Sequence, residues 1–272
     1  MKSYKRKYIL KPTKITFLDI IRRLKKEPIP YEDFLSLLEE SSDKFYENSE
    51  LEFELLLING FPLDIKNDSV FLKTTQTSIN EQTFCFVDIE TNGGTPKKGF
   101  QIIELGAVKY KNGEIIDKFD SLVFAKDIPP YIQEVTKITL AMLETAPTIE
   151  KVLKDFKEFL GDDVFVAHDI KFDYTFISDS FEKYNLGKLL NRKICTIDLS
   201  KRTIQSDKYG LSTLKELLNI DVENHHRAYF DALTTKIIFE KCLQSLDLKN
   251  IENVEDLITF SKSDNIIRKV NK

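Results

Sequence analysis

Three cysteines in 272 residues are too few and too scattered to staple a fold. Cys85, Cys195 and Cys242 sit far apart in apolar stretches with no CxxC pair, so they read as buried, reduced thiols rather than as zinc ligands or a redox couple. Long apolar runs are missing as well: no uninterrupted stretch approaches the roughly 20 residues a membrane span needs. The start, MKSYKRKYILKPTKITF, is basic but has no sustained apolar segment and no small-residue cleavage site. The expectation is a cytoplasmic protein with no membrane partner. An excess of positive charge is also lacking. With 40 Lys and Arg against 44 Asp and Glu the net charge is −4, so the whole molecule cannot attract nucleic acid or lipid as a basic body, and an anionic partner must be held locally. No internal period is found, which excludes a solenoid.

What is present is a normal core. Apolar residues make up 42% of the chain, 20 of them Phe, enough for one large or two modest domains at about 100–200 residues each. Lys2, Lys5, Arg6, Lys7, Lys11, Lys14, Arg22, Arg23, Lys25 and Lys26 are opposed only by Asp19 and Glu27 in the first segment. Such a run most often marks a solvated face. Phe17, Ile20, Ile21 and Leu24 recur at helical spacing, PIPYEDFLSLLEE starts a second helix after a proline break, and a third is expected over residues 51–57. Two short strands about Lys66-Asn67-Asp68 follow. Three small helices and a hairpin are the order of a winged helix, a module that meets DNA or another protein. Residues 1–73 are thus expected to be a mainly helical accessory domain, and the unpatterned KTTQTSINEQ places a linker at 74–82.

A second domain is expected over residues 83–246, with strands at 84–89, 101–109, 115–123, 164–168 and 194–199 and helices at 148–160, 172–184, 211–218 and 228–246. Hairpin-linked strands followed by alternating strands and helices argue an α/β fold with a mixed sheet. Residues 247–272 read as a charged tail holding at most a short helix.

The chemistry starts in FCFVDIETNGG, where a buried strand runs into Asp88 and Glu90. Residues two apart on a strand share a face, so the two carboxylates project together and repel. A divalent cation relieves that repulsion, and hard cations such as Mg²⁺ or Mn²⁺ favour carboxylate oxygen. Solvent-facing acids at a strand end explain the pair equally well. Asp173 lies one turn before Phe176 and Ile177 on an inward helical stripe, and Asp231 falls among Ala228, Thr235, Ile238 and Cys242. One such acid is commonly structural, whereas three inward acidic sites in one domain are harder to explain that way. His226, five residues before Asp231, is rotated roughly 140° off its helical face and so belongs in the preceding loop, swinging over the carboxylates. An imidazole with a pKa of about 6.5 is suited to take a proton from metal-bound water.

The ordered segments VDIETNGG, VAHDIKFDYTF, YGLSTLKELL and HRAYFDA resemble the DnaQ-like 3′–5′ exonucleases of the DEDDh group, most closely the epsilon proofreading subunits of bacterial DNA polymerase III. The resemblance covers about residues 83–246. It implies an RNase H-like sheet flanked by helices, with Asp88, Glu90, Asp173 and Asp231 holding two divalent cations, Mg²⁺ or Mn²⁺, and His226 as general base. It places Thr91 under the terminal nucleotide and Phe172 beside Asp173 in the site. Asp169 departs from the family, where Asn is usual. The implied activity is release of nucleoside 5′-monophosphates from single-stranded or frayed 3′ ends of DNA in proofreading or repair, with the DNA polymerase III catalytic subunit as the implied partner. Two alternatives stay open: 3′ trimming of RNA by the same fold, and a DNA-binding or scaffold protein whose nuclease domain is idle.

Overall fold

The computed structural model describes residues 15–223, 226–246 and 251–263. Lys2, Lys5, Arg6, Lys7, Lys11 and Lys14 of the basic run, and His225, lie outside the described residues. The backbone separates into two units, residues 1–56 with 63–72, and residues 57–62 with 73–272.

In the first unit, helix α1 (Phe17–Leu24) begins with a capping box in which Thr16 and Asp19 satisfy each other's backbone amides. Strand β1 (Ile29–Pro30), helices α2 (Tyr31–Glu40) and α3 (Ser49–Ile58), and strands β2 (Leu63–Lys66) and β3 (Ser69–Leu72) complete it. Its three-stranded sheet has the order β1-β3-β2 and is accompanied by the three helices. Its hairpin turns through Asn67 and Asp68, both at positive φ, as a two-residue turn matching the strand twist requires. Ile20, Leu24, Phe34, Leu38, Phe53, Leu56 and Val70 are buried, with Phe34 and Phe53 packed edge to face at 5.7 Å.

The second unit is built on a five-stranded sheet of order β6-β5-β4-β7-β8. Strands β4 (Phe84–Thr91), β5 (Ile102–Lys111) and β6 (Glu114–Leu122) are antiparallel, while β7 (Val164–Ala167) and β8 (Lys193–Cys195) run parallel to β4. Between β6 and β8 the chain forms α4 (Pro130–Thr136), α5 (Leu140–Leu143), α6 (Ile149–Leu160) and α7 (Ile170–Lys183). After β8 come α8 (Thr196–Thr203), α9 (Leu211–Leu217), α10 (Ala228–Ser245) and α11 (Val254–Ser261). The alternation along β4 separates two cores. Phe84 and Phe86 pack with Ile238, Phe239 and Leu257 on one face, and Cys85, Val87 and Ile89 with Phe156, Phe176 and Phe181 on the other. Among the described residues, no helix is long and apolar enough to cross a membrane.

Three boundaries differ from the sequence expectation. The strand expected over 194–199 stops at Cys195, and residues 196–199 open α8, because Thr196, Leu199, Ser200 and Thr203 form a helical stripe that is buried. Residues 74–82 are tied into the second unit: Thr74 is buried and donates to Glu255 at 2.8 Å, and the Thr77 carbonyl accepts from Val254 N–H. The expected tail contributes α11, whose Val254, Leu257, Ile258 and Phe260 complete one core at helical spacing. Residues 247–250 and 264–272 lie outside the described residues.

Candidate active site

Asp88 and Glu90 continue the Phe84 and Phe86 face of β4 toward its C-terminal end. Across the ladder they stand opposite Gly106 and Glu104 of β5, and the register breaks just beyond, between Glu90 and Thr91. Both carboxylates are half-buried.

Asp173 lies in the first turn of α7 and is only 3% exposed. Its Oδ1 accepts the Ile89 N–H at 3.3 Å, which ties it to the strand between the two β4 acids. The turn into α7 runs through Asp169, exposed and left-handed at φ 70°. His168 fixes that turn from inside. Its Nε2 lies 2.9 Å from the Tyr209 carbonyl, which can only accept, so Nε2 carries the proton and Nδ1 accepts from the Thr196 hydroxyl at 2.8 Å. Burial pushes the His168 pKa down to about 4, against the opposing pull of the Tyr209 carbonyl and Asp169.

Asp231 lies in the first turn of α10 and is 6% exposed. His226 occupies the loop two residues ahead of that helix, exposed and at φ 62°, and its N–H donates to Asp231 Oδ2 at 3.1 Å. One oxygen each of Glu90 and Asp231 and one imidazole nitrogen of His226 lie within 4.8 Å of one another. That spacing suits a shared cation, and equally an imidazole reaching a water held there.

Thr91 is buried, and its hydroxyl donates to the Gly93 carbonyl at 2.7 Å, shaping the loop that leaves β4. The Phe100 ring fills the space beside Gly93, where an added Cβ would meet it at 2.1 Å, so that glycine serves the loop's own packing. Phe172 is 42% exposed, next to Asp173, with its ring 5.8 Å from Phe176.

The acids perturb each other. Asp88 is held well above the usual carboxylate range, first by burial and then by Asp173, Asp231, Glu90 and Glu104. Burial likewise raises Asp173, with its own and the Ile89 amide opposing and Asp169 and Glu90 adding. Glu90 is pushed up to about 8 by burial, Asp231 and Glu104, with Arg227 opposing. Four carboxylates brought together from one strand and two helices therefore need positive charge to ionise together. A donor set of carboxylate oxygens fits hard divalent cations.

Glu104, Gly106 and Arg227 were not singled out by sequence reasoning. The signal was available in IIELGAV, where an acid interrupts an otherwise buried strand. Its partner lies 123 residues away.

Comparison with known proteins gives a consistent picture. The exonuclease family RNase_T matches residues 85–239. The DNA polymerase III PolC-type of Staphylococcus haemolyticus (strain JCSC1435) is 40% identical over 188 residues, covering 68% of this chain and 13% of that protein. The PolC-type polymerase of Staphylococcus aureus is 37% identical over 206 residues, 75% of this chain and 14% of that protein. The chain thus spans 13–14% of the length of these relatives. Among solved structures, Exonuclease X in complex with 5′ overhanging duplex DNA superimposes with a TM-score of 0.52 at 24% identity, over 65% of this chain and 99% of that one. E. coli Exonuclease I in complex with a dA16 oligonucleotide gives 0.52 at 16% identity, over 60% and 41%. At these identities the structures establish the shared fold.

Proposed function

The chain belongs to the RNase_T exonuclease family, DnaQ-like in type, and is a nuclease; from this we propose that it removes nucleoside 5′-monophosphates from the 3′ ends of DNA in a reaction that depends on Mg²⁺ or Mn²⁺. The observation that carries the reading is the convergence of Asp88, Glu90, Asp173 and Asp231, with His226 held beside them by its backbone bond to Asp231.

Asp88, Glu90, Asp173 and Asp231, at the end of β4 and in the first turns of α7 and α10, would hold the two cations. When bound, these cations supply charge stabilisation for the scissile phosphate and a more acidic water. Without them whichever of these acids are ionised repel a phosphodiester, so binding of substrate and cation are coupled through charge. His226, exposed at the mouth of the group, accepts the proton of the attacking water on an imidazole nitrogen. Phe172 offers its exposed ring to the terminal base or sugar, and Thr91 keeps the loop under it in shape.

DNA is favoured over RNA as substrate because the relatives are named as DNA polymerases. The role is proofreading or repair beside a DNA polymerase III catalytic subunit. For the first unit, docking on a protein is favoured over phosphate contact by α3: its sequence SELEFELLLI has no basic residue, and it exposes Glu50, Leu51 and Glu54.

The test is digestion of a 5′-labelled primer with a mismatched 3′ end, with Mg²⁺ and with EDTA, scored for product size and polarity. Stepwise shortening from the 3′ end only with metal is expected. His226→Ala lowers turnover by about 10²–10⁴-fold while keeping Mn²⁺ binding, and Asp88→Ala loses both. Digestion in EDTA, or wild-type rates from either variant, overturns the reading.

A further inference from the structure

Glu104 is the third residue of β5, with Ile102, Ile103, Leu105, Ala107 and Val108 buried around it, and is itself 1% exposed. A carboxylate there is costly unless fully paired. Both of its oxygens are engaged by the start of α10. Oε1 accepts from Arg227 Nε at 2.8 Å and lies 2.6 Å from Arg227 Nη2, while Oε2 accepts the Ala228 N–H at 2.9 Å. Ala228 is the first residue of α10, so this N–H is one of the donors that the helix itself leaves unpaired. The N-cap residue, Arg227, makes no side-chain cap of its own. The acceptor comes instead from the neighbouring strand, with its negative charge at the favourable end of the helix dipole. Gly106, two residues on along the same strand face, lets the helix lie against the strand: a Cβ there would stand 2.1 Å from the Tyr229 nitrogen.

The consequence reaches the acids. Glu104 stands opposite Glu90 in the ladder, Asp231 is in the turn that Glu104 caps, and His226 immediately precedes Arg227. His226 holds a left-handed backbone that costs a non-glycine residue some strain, so the chain on its C-terminal side must be anchored. We propose that Glu104 and Arg227 are a pair of positioning residues that fix α10 on the sheet and thereby hold Asp231 and His226 in register with Glu90. Neither touches the reacting atoms. The inference rests on the nuclease reading for its kinetic consequence, but not for its effect on cation binding.

The test compares wild type with Glu104→Gln, Arg227→Lys, Arg227→Met and the Glu104→Gln/Arg227→Met double variant. Turnover and KM on a single-stranded DNA oligonucleotide are measured, with Mn²⁺ affinity by calorimetry and melting temperature by circular dichroism. Glu104→Gln keeps an oxygen for the Ala228 N–H and loses the ionic grip. It lowers kcat and weakens Mn²⁺ binding by about 10–100-fold, the usual effect of removing a residue that orients a ligand, with KM moving less than about threefold. Arg227→Lys, which keeps the charge without the fork, falls between wild type and Arg227→Met. The double variant is no worse than the more impaired single one, because both remove the same link. Wild-type kcat and Mn²⁺ affinity in the variants, even with a lower melting temperature, overturns the proposal, as do additive effects in the double variant. If Glu104→Gln fails to fold, the two Arg227 variants decide alone. If the wild-type chain degrades no DNA, the nuclease reading fails and the positioning pair stands or falls on the Mn²⁺ titrations.

Discussion

Replacing Glu90 by Gln should stabilise the cation-free protein at alkaline pH and leave it unchanged in acid. The Glu90 carboxyl rises from its ordinary 4.5 to about 8, chiefly through burial and then through Asp231 and Glu104. A group whose folded pKa lies above its unfolded value binds more protons in the folded state, so folding is favoured while it is protonated. Below about pH 4.5 Glu90 is neutral in both states and contributes no penalty. As the pH climbs to 8 the unfolded chain ionises freely and the folded one does not, and the penalty grows until the folded carboxyl ionises too. At about 1.4 kcal/mol for each tenfold difference in proton affinity, the full penalty is about 5 kcal/mol, and relaxation of a half-buried group brings it to roughly 3–5 kcal/mol. Urea unfolding in EDTA at pH 4, 6 and 9, followed by circular dichroism, measures it. The difference between Glu90→Gln and wild type should be near zero at pH 4 and approach this figure at pH 9. Added Mg²⁺ or Mn²⁺ should narrow the gap, stabilising wild type by about 2.7 kcal/mol at a free concentration 100 times the Kd while doing less for the variant. A pH-independent difference between the two proteins, or equal stabilisation of both by cation, would refute the argument that burial among acids, relieved by positive charge, governs this site.

The opposite slope is expected from His168, whose pKa is pushed down to about 4 by burial. Its neutral form contributes stability that is intact above about pH 6.5 and is lost as the pH falls toward 4, up to about 3 kcal/mol; His168→Gln should flatten that part of the urea stability profile, and an unchanged profile would count against a buried neutral imidazole. At the other edge of the sheet, Arg192 pairs with the buried Glu255, which also accepts from Thr74. Glu255→Ala should therefore cost about 3–5 kcal/mol by stranding the guanidinium, read as a fall in melting temperature, and a loss below about 1 kcal/mol would show α11 to be dispensable to the second unit.

Much of the site was legible before any fold was known because two short periodicities carry it. The strand repeat of two places Asp88 and Glu90 on one face after Phe84 and Phe86. The helical repeat turns Asp173 and Asp231 toward buried neighbours and keeps His226 off the Asp231 face, in the loop where it is found. The hairpin at Asn67 and Asp68 was legible from turn chemistry. The end of β8 was not, since TIDLS can extend a strand or open a helix, and only the burial of Leu199 and Thr203 decides between them. A short helix in the tail was legible and is found as α11, but that its apolar face completes a core was not, since that depends on the surface it covers.

The sequence by itself determined which side chains face inward and which kinds of oxygen and nitrogen donor they present, because facing follows from local backbone geometry. Only the tertiary structure decided who meets whom. That β4 lies between β5 and β7, that Glu104 seats α10 through Arg227 and Ala228, and that the acid of one helix receives the amide of Ile89, all depend on pairing between segments many residues apart. Such pairing is set by the mutual burial of whole faces and the satisfaction of the polar groups trapped between them, and no window of local sequence contains that information.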